Sequence, residues 1–249
     1  TACLNYGNLK RGHRANGFTT NGGFAQYALN HINTVHKIPD SIEFNEAALI
    51  TNLGCVLYGF QTTGGYVVGD NVAVIGPGPL GLVSVGVARA LCAKKIFLSG
   101  TRNSRLEMGK KMGADRLVNV KNEDAVQVVR DETDGIGADL VIESSGSDQG
   151  IQTAIEMSKR MGKILLVGYP EKPVSANFST MGSRNIHIFS IRGEGWANCS
   201  RAVSMLSQGR ISLKQLATHS FPLDQIDEAF KTFVERIGGA VKVIVHPNA

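Results

Sequence analysis

The hexapeptide Gly76-Pro77-Gly78-Pro79-Leu80-Gly81 has the glycine spacing of a turn that binds the diphosphate of a dinucleotide. In such turns the first glycine permits a tight bend, the second lets the backbone approach the diphosphate, and the third lets a helix pack closely on a strand. The apolar run Asn71–Ile75 precedes the turn and the apolar stretch Leu82–Leu91 follows it. This order of strand, turn and helix favours a nucleotide site over the alternative, a glycine-rich surface turn. We therefore expect phosphate oxygens to face the helix N-terminus, in contact with Gly76, Gly78, Pro79, Leu80 and Gly81.

The second predicted strand ends in Ser99-Gly100-Thr101-Arg102, which bears on the choice of cofactor. An NAD pocket of this type has an acidic residue about 20 residues after the glycine turn, where it accepts hydrogen bonds from the ribose 2′-hydroxyl. Gly100 occupies that position, so no carboxylate is present to repel a 2′-phosphate. Thr101 offers a hydroxyl, and Arg102 offers a planar guanidinium suited to phosphate oxygens. The sequence thus favours NADP; the alternative is NAD, with Arg102 as a solvated residue.

From Asn71 onward, strand-like and helix-like segments alternate at intervals typical of βαβ units, which predicts a parallel sheet covered by helices on both faces. The predicted strands are Asn71–Ile75, Lys95–Ser99, Leu117–Val120, Asp139–Glu143, Lys163–Val167 and Asn185–Ile191. The predicted helices are Leu80–Leu91, Ser104–Met112, Glu123–Thr133, Gln149–Met161 and Ala197–Gln208. Glycines stand where four of these helices should end, as is typical of helix C-termini: Gly113, Gly135, Gly162 and Gly209.

Six parallel strands in this order form a doubly wound Rossmann sheet, with its ligand over the carboxyl ends of the strands. The loops Gly76–Gly81, Ser144–Gly146 and Gly168–Pro170 should therefore line one crevice. Ser145 and Gly168 join the predicted dinucleotide contacts on this ground. The last strand, Asn185–Ile191, should lie at an edge, where unpaired backbone groups favour a partner. The alternative is an edge covered by the chain's own loop, Arg192–Asn198 with Trp196.

The segments outside this sheet predict a second, β-rich and incomplete domain built from both ends of the chain. Gly17–Asp40 has the pattern of short strands and turns, Phe44–Thr62 that of a joining helix, and Ala217–His246 that of strand, helix, strand. The predicted divisions are 1–50 for the first part of that domain, 51–70 for the linking helix, 71–210 for the dinucleotide-binding domain and 211–249 for the returning C-terminal segment. We expect a fragment, because the β-like pattern begins as if a domain were already under way.

Composition narrows the possible partners and compartment. The net charge of +5 is spread along 249 residues without a basic cluster, which argues against nucleic acid and supports mild attraction for anionic ligands. No apolar stretch reaches the roughly 18 residues of a membrane span. The chain has four single cysteines without a CxxC pair, namely Cys3, Cys55, Cys92 and Cys199. This usage is typical of a reducing compartment, so we expect a cytoplasmic protein.

Further motifs stand in a fixed order around the glycine turn: Gly17–Tyr27, Lys37–Asp40, Glu46–Leu49, Gly69–Val72, Gly76–Gly81, Arg105-Leu106, Met112–Asp115, Gly146 after Asp139–Glu143, Glu228–Phe230 and Lys242-Val243. Together they resemble the medium-chain zinc-containing alcohol dehydrogenases, most closely the sorbitol and threonine dehydrogenase branch. The resemblance implies a Rossmann domain, a GroES-like catalytic domain and hydride transfer between a nicotinamide cofactor and a secondary alcohol or polyol. It implies zinc, which lowers the pKa of the alcohol. It also implies a homodimer or homotetramer joined through Asn185–Ile191.

The chain departs from this family at its zinc sites. The resemblance places a Cys and a His-Glu pair upstream of Thr1, and a further ligand at Thr51 or Asn52, neither of which is a customary zinc ligand. Cys55, a helical turn later, is the alternative ligand, although a single helical cysteine is more typical of a small buried apolar residue. Of the structural-zinc lobe only Cys3 is present, with Lys10 near the place of the last cysteine.

The histidines do not supply a metal site either, since no two have HxH or HxxxH spacing: His13, His31, His36, His187, His219 and His246. We therefore predict that these residues alone bind no zinc and turn over no substrate. No catalytic residue can be named, and the resemblance implies a structural role for Glu143.

Three functions remain open. The first is a zinc-family NAD(P)-dependent alcohol or polyol dehydrogenase whose metal ligands this chain lacks. The absence of a ligand at Thr51 and Asn52 favours the other two, a zinc-free NADPH-dependent enone or quinone reductase and a non-catalytic nucleotide-binding module. The sequence of the glycine turn favours the zinc branch, because those reductases usually have an AAVGxxG turn.

Overall fold

The computed structural model describes residues 5, 8–13, 15–194 and 196–248. The chain divides into two compact units, one formed by Thr1–Ile38 with Leu216–Ala249 and the other by Pro39–Gln215. The segment 51–70 groups with the second unit, and the predicted domain boundaries remain predictions. Cys3 lies outside the described residues.

The second unit contains a six-stranded sheet in which all paired strands are parallel and the strand order is β3-β2-β1-β4-β5-β6. The direction of winding reverses between β1 and β4, so the carboxyl ends of these strands flank a switch point where ligands bind. The predicted doubly wound parallel sheet is confirmed, with β6 at one edge. The strands are β1 (Asn71–Ile75), β2 (Lys95–Gly100), β3 (Arg116–Asn119), β4 (Ala138–Glu143), β5 (Ser158–Leu166) and β6 (His187–Ser190).

Helices cover both faces of this sheet, and its central strands are buried runs of apolar residues, as expected when neither face meets water. Of the helices, α7 was not predicted; the side chain of Asn177 caps it by accepting from Thr180 N at 2.9 Å. The helices are α1 (Phe44–Ala47), α2 (Ile50–Thr62), α3 (Pro79–Ala90), α4 (Asn103–Lys111), α5 (Ala125–Asp131), α6 (Asp148–Met157), α7 (Phe178–Arg184) and α8 (Trp196–Ser207).

The single helix predicted over Phe44–Thr62 is wrong, because the chain turns at Ala48 and Leu49 between α1 and α2. Glu46 on α1 is buried, and its Oε1 accepts hydrogen bonds from Leu213 N at 2.6 Å and from the Ser212 hydroxyl at 3.1 Å. The turn therefore coincides with a polar anchor that joins α1 to a segment far away in the sequence.

The predicted helix Gln149–Met161 is wrong beyond Met157, where β5 begins. The Ser158 hydroxyl donates to Ala154 O at 2.7 Å, and the pairing of β4 with β5 then shifts register between Ala138 and Leu140. Gly162 consequently lies inside a strand and ends no helix. The positive φ falls on Met161, at +58°. Gly113, Gly135 and Gly209 do follow their helices with positive φ, as predicted.

The first unit contains β7 (Ala217–Pro222), α9 (Ile226–Glu235) and β8 (Lys242–His246), and its two strands pair in parallel. The predicted strand, helix, strand pattern is confirmed here. Strands predicted within Gly17–Asp40 are not found, and the only β pairing described there is an isolated bridge from Asn16 to Thr20. Most large apolar side chains of this segment are exposed, with Leu29 at 99%, and so lack the packing partners that stabilise a strand. Phe24 does pack edge-on against Phe230, with 5.5 Å between ring centroids.

In the part of the chain that the structure describes, no helix combines the length and apolar character needed to cross a bilayer.

Candidate dinucleotide-binding site

The glycine turn leaves β1 in a conformation that depends on its first glycine. Gly76 has φ +95°, in the left-handed region that favours glycine, and its N–H donates to Ser99 O at 2.9 Å. Gly78 is the N-cap of α3 and Pro79 begins the helix, where a missing N–H removes no intrahelical bond. The first-turn amides of α3 have no intrahelical acceptor, so the turn presents donors to an anion.

Gly81 brings α3 close to the end of β4. A methyl group built on Gly81 would lie 2.6 Å from Ser144 Oγ and closer still to Gly76 O. The Ser144 hydroxyl is itself within hydrogen-bond distance of Ile75 O and Gly76 O, at 2.8 and 2.7 Å. The turn, the helix and the loop after β4 are therefore packed so closely that only glycine fits at this position.

A buried carboxylate shapes the loop after β4. Glu143 is fully buried at the end of the strand, and it accepts hydrogen bonds from Ser145 N at 2.8 Å, from Gly146 N at 3.0 Å and from the Ser145 hydroxyl. Gly168 follows β5 beside this loop and donates its N–H to Glu143 O at 3.0 Å. These contacts agree with the structural role implied for Glu143.

A cleft of about 610 Å³ opens over the carboxyl ends of β1, β2, β3 and β4, within the size range of small-molecule sites. Of the ten predicted contact residues, four line it: Gly76, Gly100, Thr101 and Ser145. The other six predicted residues are not part of its lining: Gly78, Pro79, Leu80, Gly81, Arg102 and Gly168. The three predicted loops do meet, because Gly76 packs on Ser145 and Gly146 packs on Gly168 and Tyr169.

Pro77 lines the cleft as part of the predicted loop Gly76–Gly81, whereas several other lining residues were missed by the sequence prediction, including Val120, Glu123, Asp124 and Gln149. Most of these follow β3 or begin the helices α5 and α6, so the rule that ligands bind at carboxyl ends of strands, applied to β3, would have found them. Asp124 caps α5 by accepting from Val126 N at 2.8 Å, and Glu123 forms an ion pair with Arg116. Both carboxylates are thus already engaged.

The position expected to discriminate between NAD and NADP is closed to a side chain. A methyl group built on Gly100 would lie 2.6 Å from Pro77 Cγ and closer still to Cδ. Thr101 and Arg102 are exposed beyond it, and Arg102 is the N-cap residue of α4. Arg102 forms no ion pair with any carboxylate of the described residues.

The residues near the expected zinc position do not fit a zinc site. Thr51 is exposed on α2, and Cys55 lies one turn later with its Sγ 3.7 Å from Glu194 Oε2. Burial, together with the Glu194 carboxylate, raises the pKa of the Cys55 thiol to about 12. Burial and Glu194 also raise the pKa of Cys199, to about 11. Among the described residues, no three His, Cys, Asp or Glu side chains are grouped so as to hold a metal ion.

The raised pKa values predict unequal thiol reactivity. Only the thiolate is alkylated, and a thiol with a pKa of about 12 is ionised in about one molecule in 10⁴ at pH 8. We expect iodoacetamide at pH 8 to label the exposed Cys92 quickly and to leave Cys55 and Cys199 unlabelled until the protein unfolds. Peptide mass spectrometry after timed quenching measures this, and rapid labelling of folded Cys55 would contradict it.

Comparison with known proteins finds relatives along most of the chain. The sequence profile of a family described as "Zinc-binding dehydrogenase" matches residues 79–208. Sorbitol dehydrogenase of Bacillus subtilis is 31% identical over 91% of this chain and 64% of its own length. L-threonine 3-dehydrogenase of Pyrococcus abyssi is 34% identical over 92% of this chain and 65% of its own length.

A solved structure shares the fold. It is a dehydrogenase structure from Sinorhizobium meliloti, bound to NADP, with a TM-score of 0.86 and 24% identity, covering 96% of this chain and 70% of that one. The present chain spans just under two thirds of the length of the two curated relatives above.

Proposed function

Because the chain belongs to the zinc-binding dehydrogenase family, we propose that it is the cofactor-binding part of an oxidoreductase that transfers hydride between NAD(P) and a secondary alcohol or polyol, or the corresponding ketone. The observation that carries this proposal is the glycine turn, with Gly76 at positive φ, Gly81 packed against Ser144, and the start of α3 open to an anion. The sorbitol and threonine dehydrogenase relatives support the alcohol substrate class.

In this proposal the described residues bind and orient the dinucleotide. The diphosphate lies at the first turn of α3, where the helix dipole and backbone amides favour negative charge. We place the adenosine half in the cleft between Thr101 and Ser145. The nicotinamide half would then extend past Gly168, which packs beside the loop after β4. Since the donors near Thr51 and Cys55 do not fit zinc, no step is assigned to a metal held by these residues.

We propose NADP as the preferred cofactor, with Arg102 as the cation that binds the 2′-phosphate. Arg102→Ala should weaken NADPH binding about tenfold and leave NADH binding unchanged, because one hydrogen bond between charged groups is lost. Fluorescence titration with both dinucleotides measures this. Lys110→Ala is the matched control, since it removes an exposed cation from the same helix. Equal affinity of the parent protein for NADPH and NADH would contradict the proposal.

The metal content can be measured directly. We expect less than about 0.1 zinc per chain after dialysis against a chelator and then buffer, on the order of background for a protein without a closed ligand set. Alcohol oxidation by this chain should accordingly remain at background. Stoichiometric zinc that survives dialysis would show that ligands such as Cys55 bind metal after all.

Two alternatives have specific support. The exposed Thr51 at the expected ligand position favours a zinc-free NADPH-dependent enone or quinone reductase, which NADPH oxidation with an enone substrate would reveal. A nucleotide-binding module without catalysis would bind NADPH and turn over neither substrate class.

The proposal also includes assembly and location. The edge strand β6 has backbone groups available for pairing, and we propose that two copies join there as a homodimer or a dimer of dimers. The edge could instead be covered by the loop around Trp196, whose side chain lies outside the described structure. Cysteines scattered singly along the sequence without a CxxC pair favour the cytoplasm.

A further inference from the structure

Pro77 and Gly100 are in contact across the cleft, although they lie on different loops of the chain. Gly100 ends β2, and the Pro77 ring occupies the space into which a side chain at position 100 would have to project. A methyl group there would lie 2.6 Å from Pro77 Cγ, whereas its contact with Leu106 Cδ2 would be an ordinary 3.6 Å. The obstacle is therefore the proline ring.

The Pro77 ring cannot move independently of the backbone. Its Cδ is bonded to the backbone nitrogen that follows Gly76, and Gly76 N–H is held by Ser99 O at 2.9 Å. Displacing the ring therefore displaces the turn that faces the diphosphate. A side chain at position 100 and a correctly placed glycine turn exclude one another as long as residue 77 is proline.

We propose that Pro77 is a specificity-determining residue, which excludes a 2′-hydroxyl-binding carboxylate from position 100 and leaves the 2′ side of the ribose to Thr101 and Arg102. The inference rests on the proposed function, because it assumes that a dinucleotide occupies the cleft. The ligand class it selects is the 2′-phosphorylated dinucleotides. Proline acts here by shape, since it offers no group that would bind the ligand.

The test is a cycle of Gly100→Asp, Pro77→Ala and the double variant, with NADPH and NADH titrations and chemical unfolding. Gly100→Asp alone should lower the unfolding midpoint and weaken the binding of both NADPH and NADH at least tenfold, because the new side chain displaces the glycine turn. Adding Pro77→Ala to Gly100→Asp should restore the unfolding midpoint. The double variant should bind NADH about tenfold more tightly than the Pro77→Ala variant does, because the new carboxylate accepts a hydrogen bond from the ribose 2′-hydroxyl. The double variant should still bind NADPH weakly, since the carboxylate introduced at position 100 repels the 2′-phosphate.

Pro79→Ala with Gly100→Asp is the matched control, because it removes a proline from the same turn whose ring is not among the atoms nearest to a side chain at position 100. This double variant should recover neither the unfolding midpoint nor the dinucleotide affinity that Gly100→Asp loses. Gly100→Ala with and without Pro77→Ala gives the same steric comparison with only a methyl group, should an aspartate variant fail to fold. If Pro77→Ala restores the unfolding midpoint and the dinucleotide binding lost in Gly100→Ala, the inference is supported.

The outcomes are distinguishable. If Gly100→Asp by itself gains NADH affinity with an unchanged unfolding midpoint, the ring is no barrier and the inference is overturned, while the proposed function stands. Additive effects of Pro77→Ala and the change at Gly100 would also overturn the inference, because they would show that the two positions do not interact. If the unsubstituted protein binds neither dinucleotide, the proposed function fails and the specificity role fails with it.

Discussion

Gly81→Ala is expected to reduce NADPH affinity about a hundredfold and to lower the free energy of unfolding by about 3 kcal/mol. The added methyl would overlap Gly76 O and lie 2.6 Å from Ser144 Oγ, so α3 must move away from the turn. Forced packing of this kind costs about 1–3 kcal/mol, and here the obstacle is backbone. The loss of two amide hydrogen bonds to a charged phosphate corresponds to about a hundredfold in affinity. Fluorescence titration and urea unfolding measure the two effects.

Gly182→Ala is the matched control for Gly81→Ala. It introduces the same methyl in helix α7, where nothing lies within 4 Å and the backbone has no positive φ. It should raise stability by about 0.5–1 kcal/mol, because alanine is a better helix former than glycine. If Gly81→Ala behaves like this control, the close approach of α3 to Ser144 is not present in solution.

Glu143→Ala is expected to lower the free energy of unfolding by about 3–4 kcal/mol and to abolish measurable NADPH binding. The carboxylate is fully buried and accepts hydrogen bonds from Ser145 N and Gly146 N, which are partly buried. A buried donor left unpaired costs about 1–3 kcal/mol, and the cavity left by the side chain adds to the loss. The loop after β4 then loses the shape that places Ser145 in the cleft. Thermal and urea unfolding with a parallel NADPH titration give the result.

Glu143→Gln separates hydrogen bonding from side-chain volume. The amide keeps one accepting oxygen but turns an N–H₂ group toward a backbone donor, so about half of the alanine effect should remain. Glu43→Ala is the control, because that carboxylate is exposed and the loss of its solvent-screened ion pair with Lys214 should leave the stability almost unchanged. An unfolding free energy within about 1 kcal/mol of the parent for Glu143→Ala would refute the structural role, since the loss of both hydrogen bonds together with the cavity should cost more than that.

Local sequence patterns were sufficient for the elements of the Rossmann sheet and for the turn. A strand, three spaced glycines and an apolar helix are short-range requirements, and β1 and α3 formed close to where those residues predicted them. The pattern was insufficient at Ser158–Leu166, where helix was predicted for the first residues, because the pairing of β5 with β4 and its register shift decide the structure there. It was also insufficient at Gly17–Asp40, where strand-like residues find no sheet to join.

The amino-acid order alone therefore predicted the family, from motifs spread along most of the chain. It also predicted the alternating strands and helices of a parallel sheet and the glycine turn before α3, which depend on residues close together in the chain. Only the tertiary structure showed that Pro77 closes the space at Gly100, that Glu143 shapes the loop holding Ser145, and that Cys55 is a partly buried thiol beside Glu194. Pro77 lies far from Gly100 in the chain, and Cys55 lies far from Glu194, whereas Glu143 and Ser145 are close in sequence but owe their contact to the burial of the carboxylate. The geometry of all three is set by how the strands and helices pack. A composition or spacing pattern does not carry that information.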